Sequence, residues 1–345
     1  MTDIAHNGPA LSGAAVAGPA LSGSAIAGAA SGPRLAGLSD RPLNGLLLID
    51  KPQGPTSHDV VARIRKLANT KSCGHTGTLD PMATGLLLVL VGPATKLAAF
   101  MAESDKSYLA QIRLGLVTDT LDVTGKTLSV WPGPWPSIEE VRETLLALTG
   151  DSLQKPPSFS AIKVAGKAAH KLARSGKEPD LEPRPVTARE LRLTEYAPPL
   201  ATVRCEVSKG YYVRSLARDL GQALGLGGGA LTSLRRLTAG PFGLDSAAPL
   251  PESPEELRRR LITPRRALAH LPELSLSEPE VKALSQGQRL APPPAAAGTY
   301  KIIAPGGILA AIGQIVDPAQ GPHGQPVPGT PEGPFLRPLR VFMTA

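Results

Sequence analysis

One carboxylate stands out by its setting. Asp80 lies within Gly74-His75-Thr76-Gly77-Thr78-Leu79-Asp80-Pro81-Met82-Ala83-Thr84-Gly85-Leu86-Leu87, in a glycine-punctuated turn that leads directly into proline and apolar residues. Gly74 and Gly77 permit a tight loop. Pro81 disfavours the α conformation at Asp80 and presets its own φ for starting a helix. An acid fixed on a corner at the edge of an apolar body suits a nucleophile or a base. The same Asp-Pro pair also fits an ordinary N-cap, with Asp at Ncap and Pro at N1. A cap, however, has no need of His-Thr-Gly before it or Ala-Thr-Gly-Leu-Leu after it.

Taken whole, this block resembles the catalytic motif of the TruB family, the bacterial tRNA pseudouridine-55 synthases. Other stretches are similar to family motifs as well. Leu46-Leu47-Leu48-Ile49-Asp50-Lys51-Pro52-Gln53-Gly54-Pro55-Thr56-Ser57 resembles its opening strand and Lys-Pro-x-Gly turn. Asp105-Lys106-Ser107-Tyr108 resembles its second motif, and 115–125, with Thr118-Asp119-Thr120 and Asp122, its third. Pro156-Pro157-Ser158-Phe159-Ser160-Ala161-Ile162-Lys163, Ser208-Lys209-Gly210-Tyr211-Tyr212-Val213-Arg214-Ser215-Leu216 and Leu234-Arg235-Arg236-Leu237 complete the series in family order. Three positions depart from the pattern: Met82 for leucine, Tyr211 for threonine and His170 for tyrosine. None falls on a residue to which the resemblance gives a catalytic role.

The resemblance implies isomerisation of uridine to pseudouridine at position 55 of the tRNA T-loop. That reaction breaks the N1–C1′ bond, turns the base and rejoins it through C5, so it requires neither cofactor nor metal. The sequence carries no Gly-x-Gly-x-x-Gly strand-helix unit, no P-loop and no His/Cys cluster. Asp80 is the candidate that starts the reaction; attack at C1′, attack at C6 and glycal formation all remain open. A carboxylate in a cleft stays ionised if a cation holds it. Arg214 is the natural partner, because a guanidinium is permanently charged and pairs bidentately; the alternative is one more basic residue facing RNA. By resemblance, Tyr108 lies against the uracil and helps remove the C5 proton. Tyr212 supports the base, Leu234 forms an apolar wall, and His75 fills the space that the extruded base leaves. Lys51, Lys71, Arg63, Arg65, Lys163 and Lys209 are candidates for phosphate contacts, with solvated surface charge as the alternative. Residues 118–125 and 155–174 are expected to form loops over the RNA, whose T-arm is read mainly by shape.

The elements that must hold these residues follow from hydrophobic patterning. Runs at 45–49, 86–91, 108–114 and 202–207 read as strands, and 57–68, 138–148 and 214–224 as helices, the first capped by Thr56 or Ser57. Strands and helices without regular βαβ repetition indicate an α+β fold with a mixed, largely antiparallel sheet, which is also what the resemblance implies. Residues 44–269 form the expected catalytic domain. A charged helical stretch at 255–268, broken near Pro264, precedes a Pro- and Gly-rich segment with strand-like runs at 300–303, 308–312 and 339–342. Residues 270–345 are therefore expected to form a small β-rich domain, resembling the PUA-like C-terminal domain of the family. Residues 1–43 repeat Gly-Pro-Ala-Leu-Ser-Gly and are expected to be a disordered Ala/Gly/Pro-rich arm.

The 345 residues carry a formal net charge of +8, which favours a polyanionic partner. The two cysteines, Cys73 and Cys205, make no disulfide framework. With no secretory pattern and no apolar run of spanning length, a cytoplasmic protein off the membrane is expected. The expected partner is tRNA, engaged by a monomer with no obligatory protein partner. Two alternatives stand beside this reading: a guide-RNA-dependent relative that needs protein partners, and a non-catalytic RNA-binding protein with the same architecture.

Overall fold

The structure, a computed structural model, describes residues 42–160, 162–164, 166–176, 179–317 and 333–342. The expected N-terminal arm through residue 41 and residues 318–332 lie outside the described residues, as do the side chains of Lys163 and His170.

Seventeen strands and eight α-helices are described. The strands are β1 (Gly45–Lys51), β2 (Cys73–His75), β3 (Thr84–Val91), β4 (Lys106–Leu114), β5 (Leu116–Thr118), β6 (Thr127–Val130), β7 (Gly150–Gln154), β8 (Lys163–Val164), β9 (Lys167–Ala168), β10 (Arg184–Ala197), β11 (Leu200–Val207), β12 (Gly229–Ala239), β13 (Phe242–Gly243), β14 (Glu273–Ser275), β15 (Gly298–Ala304), β16 (Ile308–Val316) and β17 (Phe335–Val341). The helices are α1 (Ser57–Leu67), α2 (Ala98–Ala102), α3 (Ile138–Ala147), α4 (Ala169–Arg174), α5 (Val213–Ala223), α6 (Pro254–Arg260), α7 (Pro264–Ala267) and α8 (Glu278–Ser285).

The main sheet runs β1-β3-β12-β4-β11-β10-β7, with β2 added to β3 and β13 to β12. All its pairings are antiparallel except β3 with β12, which run parallel over Thr84–Gly85 and Arg235–Arg236. The expected mixed, largely antiparallel α+β fold is what the chain forms. Strand β3, Thr-Gly-Leu-Leu-Leu-Val-Leu-Val, is buried almost throughout because both its faces are covered. Leu87, Val89 and Val91 join Leu47 and Ile49 of β1 in one core, under α1 and α5. Leu86, Leu88 and Leu90 join Leu46 and Leu48 in a second core, on the other face. That second core also holds Ile303, Leu309 and Ile312 from the C-terminal sheet β14-β15-β16-β17.

Local chemistry accounts for the element boundaries. Thr56 and Asp59 form a reciprocal capping box at α1, and Ser137 with Glu140 does the same at α3. Helix α5 presents Val213, Leu216, Ala217 and Leu220 inward. It lies so close to the start of β12 that a Cβ at Gly221 would stand 1.9 Å from the Gly228 carbonyl oxygen. Two expectations fail: the segment 155–174, expected as a loop, carries β8, β9 and α4, and Pro81 starts no helix. The chain makes a turn, with Ala83 N–H donating to the Asp80 carbonyl at 3.0 Å, and enters β3 at Thr84. The apolar residues after Pro81 pair with β1 instead, so sheet formation overrides the Asp-Pro helix signal.

Gly221→Ala should force α5 away from β12 and destabilise the protein by about 1–3 kcal/mol. A lowered urea midpoint with unchanged m would show it.

Candidate active site

The loop that carries Asp80 joins β2 to β3, and three side chains from distant elements grip its backbone. Ser57, at the start of α1, accepts from Leu79 N–H at 2.8 Å and donates to the Leu79 carbonyl at 2.9 Å. Lys51, at the end of β1, donates from Nζ to the carbonyls of Ala83 at 2.7 Å, Pro52 at 2.9 Å and Pro81 at 3.4 Å. Arg236, in β12, donates to the Leu86 carbonyl at 2.6 Å and to the Gly77 carbonyl at 3.1 Å. The peptide groups on both sides of Asp80 are thereby tied down.

The side chain of Asp80 meets Arg214, which lies in the first turn of α5. Nε of Arg214 is 2.9 Å from Oδ2, and Nη2 donates to Oδ1 at 3.3 Å, a two-point pairing. Nη1 also donates to the Thr120 carbonyl at 3.0 Å, and Nη2 to the Phe159 carbonyl at 2.9 Å. Asp122 Oδ2 stands 4.0 Å from Nη1. Asp122 is itself buried and fixed by the hydroxyls of Thr120 at 2.8 Å and Thr124 at 2.5 Å. The pair is asymmetric: the Arg214 side chain is 7 % exposed and that of Asp80 is 32 % exposed. The cation belongs to the interior, and the anion presents a free edge to whatever enters.

The remaining predicted residues converge on the same face. Tyr108, in β4, lies opposite Arg236 of β12, and Leu234 lies opposite Ala110; Tyr108 and Leu234 are both buried in the core that holds Leu79, Met82 and Ala83. Tyr212 is the residue before α5, held through its N–H by Gln154 Oε1 at 2.8 Å and through its carbonyl by Gln154 Nε2 at 3.2 Å. Burial pushes its phenol pKa up, against a hydrogen bond with Ser160 and the nearby Arg214 charge. His75 ends β2, half-buried, and its buried Nδ1 finds no hydrogen-bond partner among the described residues. Burial, then the charges of Arg236 and His58, pushes its imidazole pKa down.

The phosphate-contact expectation for Lys51 is overturned. Its side chain is completely buried, and its three hydrogen bonds go to carbonyls of the catalytic loop and the Lys-Pro turn. Burial lowers its pKa, while the Asp80 carboxylate acts to favour the ammonium. A compact cation with three donors suits this bracket, which no phosphate can reach. Arg65 likewise spends a guanidinium nitrogen on the Cys73 carbonyl at 2.9 Å, and Lys209 pairs with Glu103, whereas Arg63 and Lys71 are exposed. Cys73 is a buried residue whose thiol burial pushes up, which fits a packed role.

Sequence reasoning missed Ser57, Asp122, Gln154 and, above all, Arg236 as parts of this site. For Arg236 a signal existed. Neighbouring residues in a strand point to opposite faces, so Arg235-Arg236 in β12 had to send one guanidinium inward. Arg235 goes to Asp50, at 3.1 and 2.8 Å; Arg236 goes in. Among the described residues no group of His, Cys, Asp and Glu could hold a metal ion, and no helix is long and apolar enough to cross a membrane. A cavity of about 680 Å³ lies beside the Arg214 anchors, lined in part by Asp119, Lys155, Tyr211 and Arg218 but not by Asp80.

Residues 65–213 match the model of the TruB family pseudouridylate synthase N-terminal domain. The chain is 46 % identical over 272 residues to the tRNA pseudouridine synthase B of Rhodococcus jostii, covering 78 % of this chain and 89 % of that one. It is 44 % identical over 273 residues to the tRNA pseudouridine synthase B of Corynebacterium aurimucosum, covering 76 % and 90 %. Among solved structures, it shares its fold with a chain of an H/ACA RNP bound to a substrate RNA containing 2′-deoxyuridine, with a TM-score of 0.63 at 23 % identity, covering 87 % and 85 %.

Lys51→Met should leave three carbonyls without their donor and destabilise the fold by about 2–4 kcal/mol. The salt dependence of binding to a polyanion should keep its slope, whereas loss of a phosphate-contacting lysine would reduce that slope by about one. Binding measured between 50 and 200 mM salt distinguishes the two.

Proposed function

The chain belongs to the TruB family of pseudouridylate synthases, and on that footing we propose that it isomerises uridine 55 in the tRNA T-loop to pseudouridine. The observation that carries this reading is the two-point pair between Asp80 and Arg214, with the carboxylate's free edge turned outward. The reaction conserves every atom of the nucleoside. The N1–C1′ bond breaks, a C5–C1′ bond forms, the C5 proton leaves and N1 regains a proton. What the protein must supply is a carboxylate, a base pocket and a way of reaching the buried nucleotide.

Asp80 fills the first role. A carboxylate at this position can attack C1′, attack C6 or assist glycal formation, and each route begins from the ionised form. Arg214 pairs with the carboxylate at two points and fixes its orientation, and the burial of the guanidinium strengthens the attraction. Tyr108 lies against the uracil ring and helps take the C5 proton after rejoining. Tyr212 and Leu234 complete the wall of the base pocket. A stacked uridine hides its glycosidic bond, so it is extruded at a cost of a few kcal/mol. His75 enters the space left in the loop; its depressed basicity suits a neutral ring placed among stacked bases.

The protein acts on the T-arm in the cytoplasm, as a monomer and without an obligatory protein partner. Likeness to whole bacterial synthases over about three quarters of the chain supports this. Residues 44–269 form the catalytic domain, and 270–345 the PUA-like C-terminal domain, which contains the four-stranded sheet.

Purified protein incubated alone with an unmodified tRNA transcript should place pseudouridine at position 55, read by nucleotide mapping. Asp80→Asn should abolish conversion, with tRNA affinity within about twofold, because the amide keeps the shape and removes the charge. Arg214→Ala should lower turnover and weaken binding together, since it leaves Asp80 without its partner and opens the interior. Parental turnover by Asp80→Asn would refute the mechanism.

A further inference from the structure

Arg236 is a fully enclosed guanidinium, only 2 % exposed. Enclosing a charge of this size costs several kcal/mol unless its surroundings compensate. Among the described residues its hydrogen bonds go to two main-chain carbonyls, those of Leu86 and Gly77. Those carbonyls bracket Asp80, three residues before it and six after it. The main chain of Arg236 adds a second contact. It pairs in parallel with Gly85, where φ is +97° and a Cβ would stand 2.3 Å from the Arg236 carbonyl oxygen. In the other direction Arg236 lies opposite Tyr108 of β4. One residue therefore touches the entry of the catalytic loop, its exit and the strand that carries the base-facing tyrosine.

Resting on the isomerase reading, we propose that Arg236 is a positioning residue for the reaction. Its guanidinium closes Gly77–Leu86 into a fixed loop and so sets where the Asp80 carboxylate meets the sugar–base junction of the extruded uridine. Lysine cannot substitute, because a single ammonium lacks the planar fork that reaches both carbonyls. The charge has a separate effect. Arg236 faces Lys51 from β1, His75 from β2 and Lys106 from β4, and disfavours the protonated form of each. Lys106, half-buried and close to the same loop, is lowered to about 8. His75 is also faced by His58 of α1, which acts in the same direction.

Two variants separate geometry from charge: Arg236→Lys keeps the charge and loses the fork, and Arg236→Gln loses both. In each, kcat on a T-arm substrate should fall about 100-fold, with tRNA affinity within about threefold of the parent. Amide hydrogen exchange over Gly77–Leu86 should quicken in each. The His75 titration midpoint, followed by NMR, should rise in Arg236→Gln and stay in place in Arg236→Lys. If Arg236→Gln is unfolded at the assay temperature, Arg236→Lys carries the test. Unchanged exchange, a kcat within about threefold of the parent, or a loss that merely tracks the unfolded fraction would overturn the proposal. Parental protein that converts no uridine would instead overturn the isomerase reading, and the exchange measurement would still decide whether Arg236 holds the loop.

Discussion

The site depends on an ion pair whose two members live in different media. Arg214 is buried and bonded to the carbonyls of Thr120 and Phe159, so it cannot leave the interior without giving up several charged hydrogen bonds. Asp80 is held on the other side by a loop with little freedom, and one part of its carboxylate remains accessible. A pair exposed on both sides would be screened and worth little. A pair enclosed on both sides would be inert towards a substrate. The intermediate arrangement holds charge at the surface of a low-dielectric body and leaves it available.

Such an arrangement needs backbone control as much as charge. The catalytic loop forms few hydrogen bonds within itself; its carbonyls are taken by Lys51, Ser57 and Arg236, which come from one helix and two strands. Those strands, β1 and β12, flank β3 in the sheet. Because β12 runs parallel to β3 there, Arg236 arrives level with the exit of the loop. Sheet order is thus part of the chemistry, since an antiparallel neighbour would deliver different residues to that point.

Much of this was legible in the sequence, for reasons that differ by residue. Asp80 could be read because glycine and proline mark its turn, and Arg214 because a carboxylate in a cleft requires a cation. Strands β1, β3, β4, β11, β15, β16 and β17 and helices α1, α3, α5, α6 and α7 followed from patterning to within about four residues at their ends, whereas the long strands β10 and β12, whose charged residues interrupt the apolar pattern, did not. Lys51 was misread because a lysine in a basic RNA-binding chain suggests solvent, and only the fold shows three carbonyls closing around its ammonium. Pro81 was misread because local backbone preference says nothing about the strand pairing that wins. Arg236 went unassigned because its partners, Gly77 and Leu86, are backbone carbonyls about 150 residues away, and a carbonyl leaves no signature in a side-chain pattern.

The alternation within β1 and β3 has a consequence for how the protein is made. One leucine face of this pair is covered in part by Ile303, Leu309 and Ile312, more than 200 residues beyond the end of β3. The ribosome delivers those residues on the order of tens of seconds after the hairpin itself. Throughout that interval Leu46, Leu48, Leu86, Leu88 and Leu90 form a sticky ridge on the nascent chain, covered only in part by Ala94, Leu97 and Met101. A late-arriving coat of this kind makes chaperone capture and premature termination most consequential at the far end of the message, where no catalytic side chain is encoded.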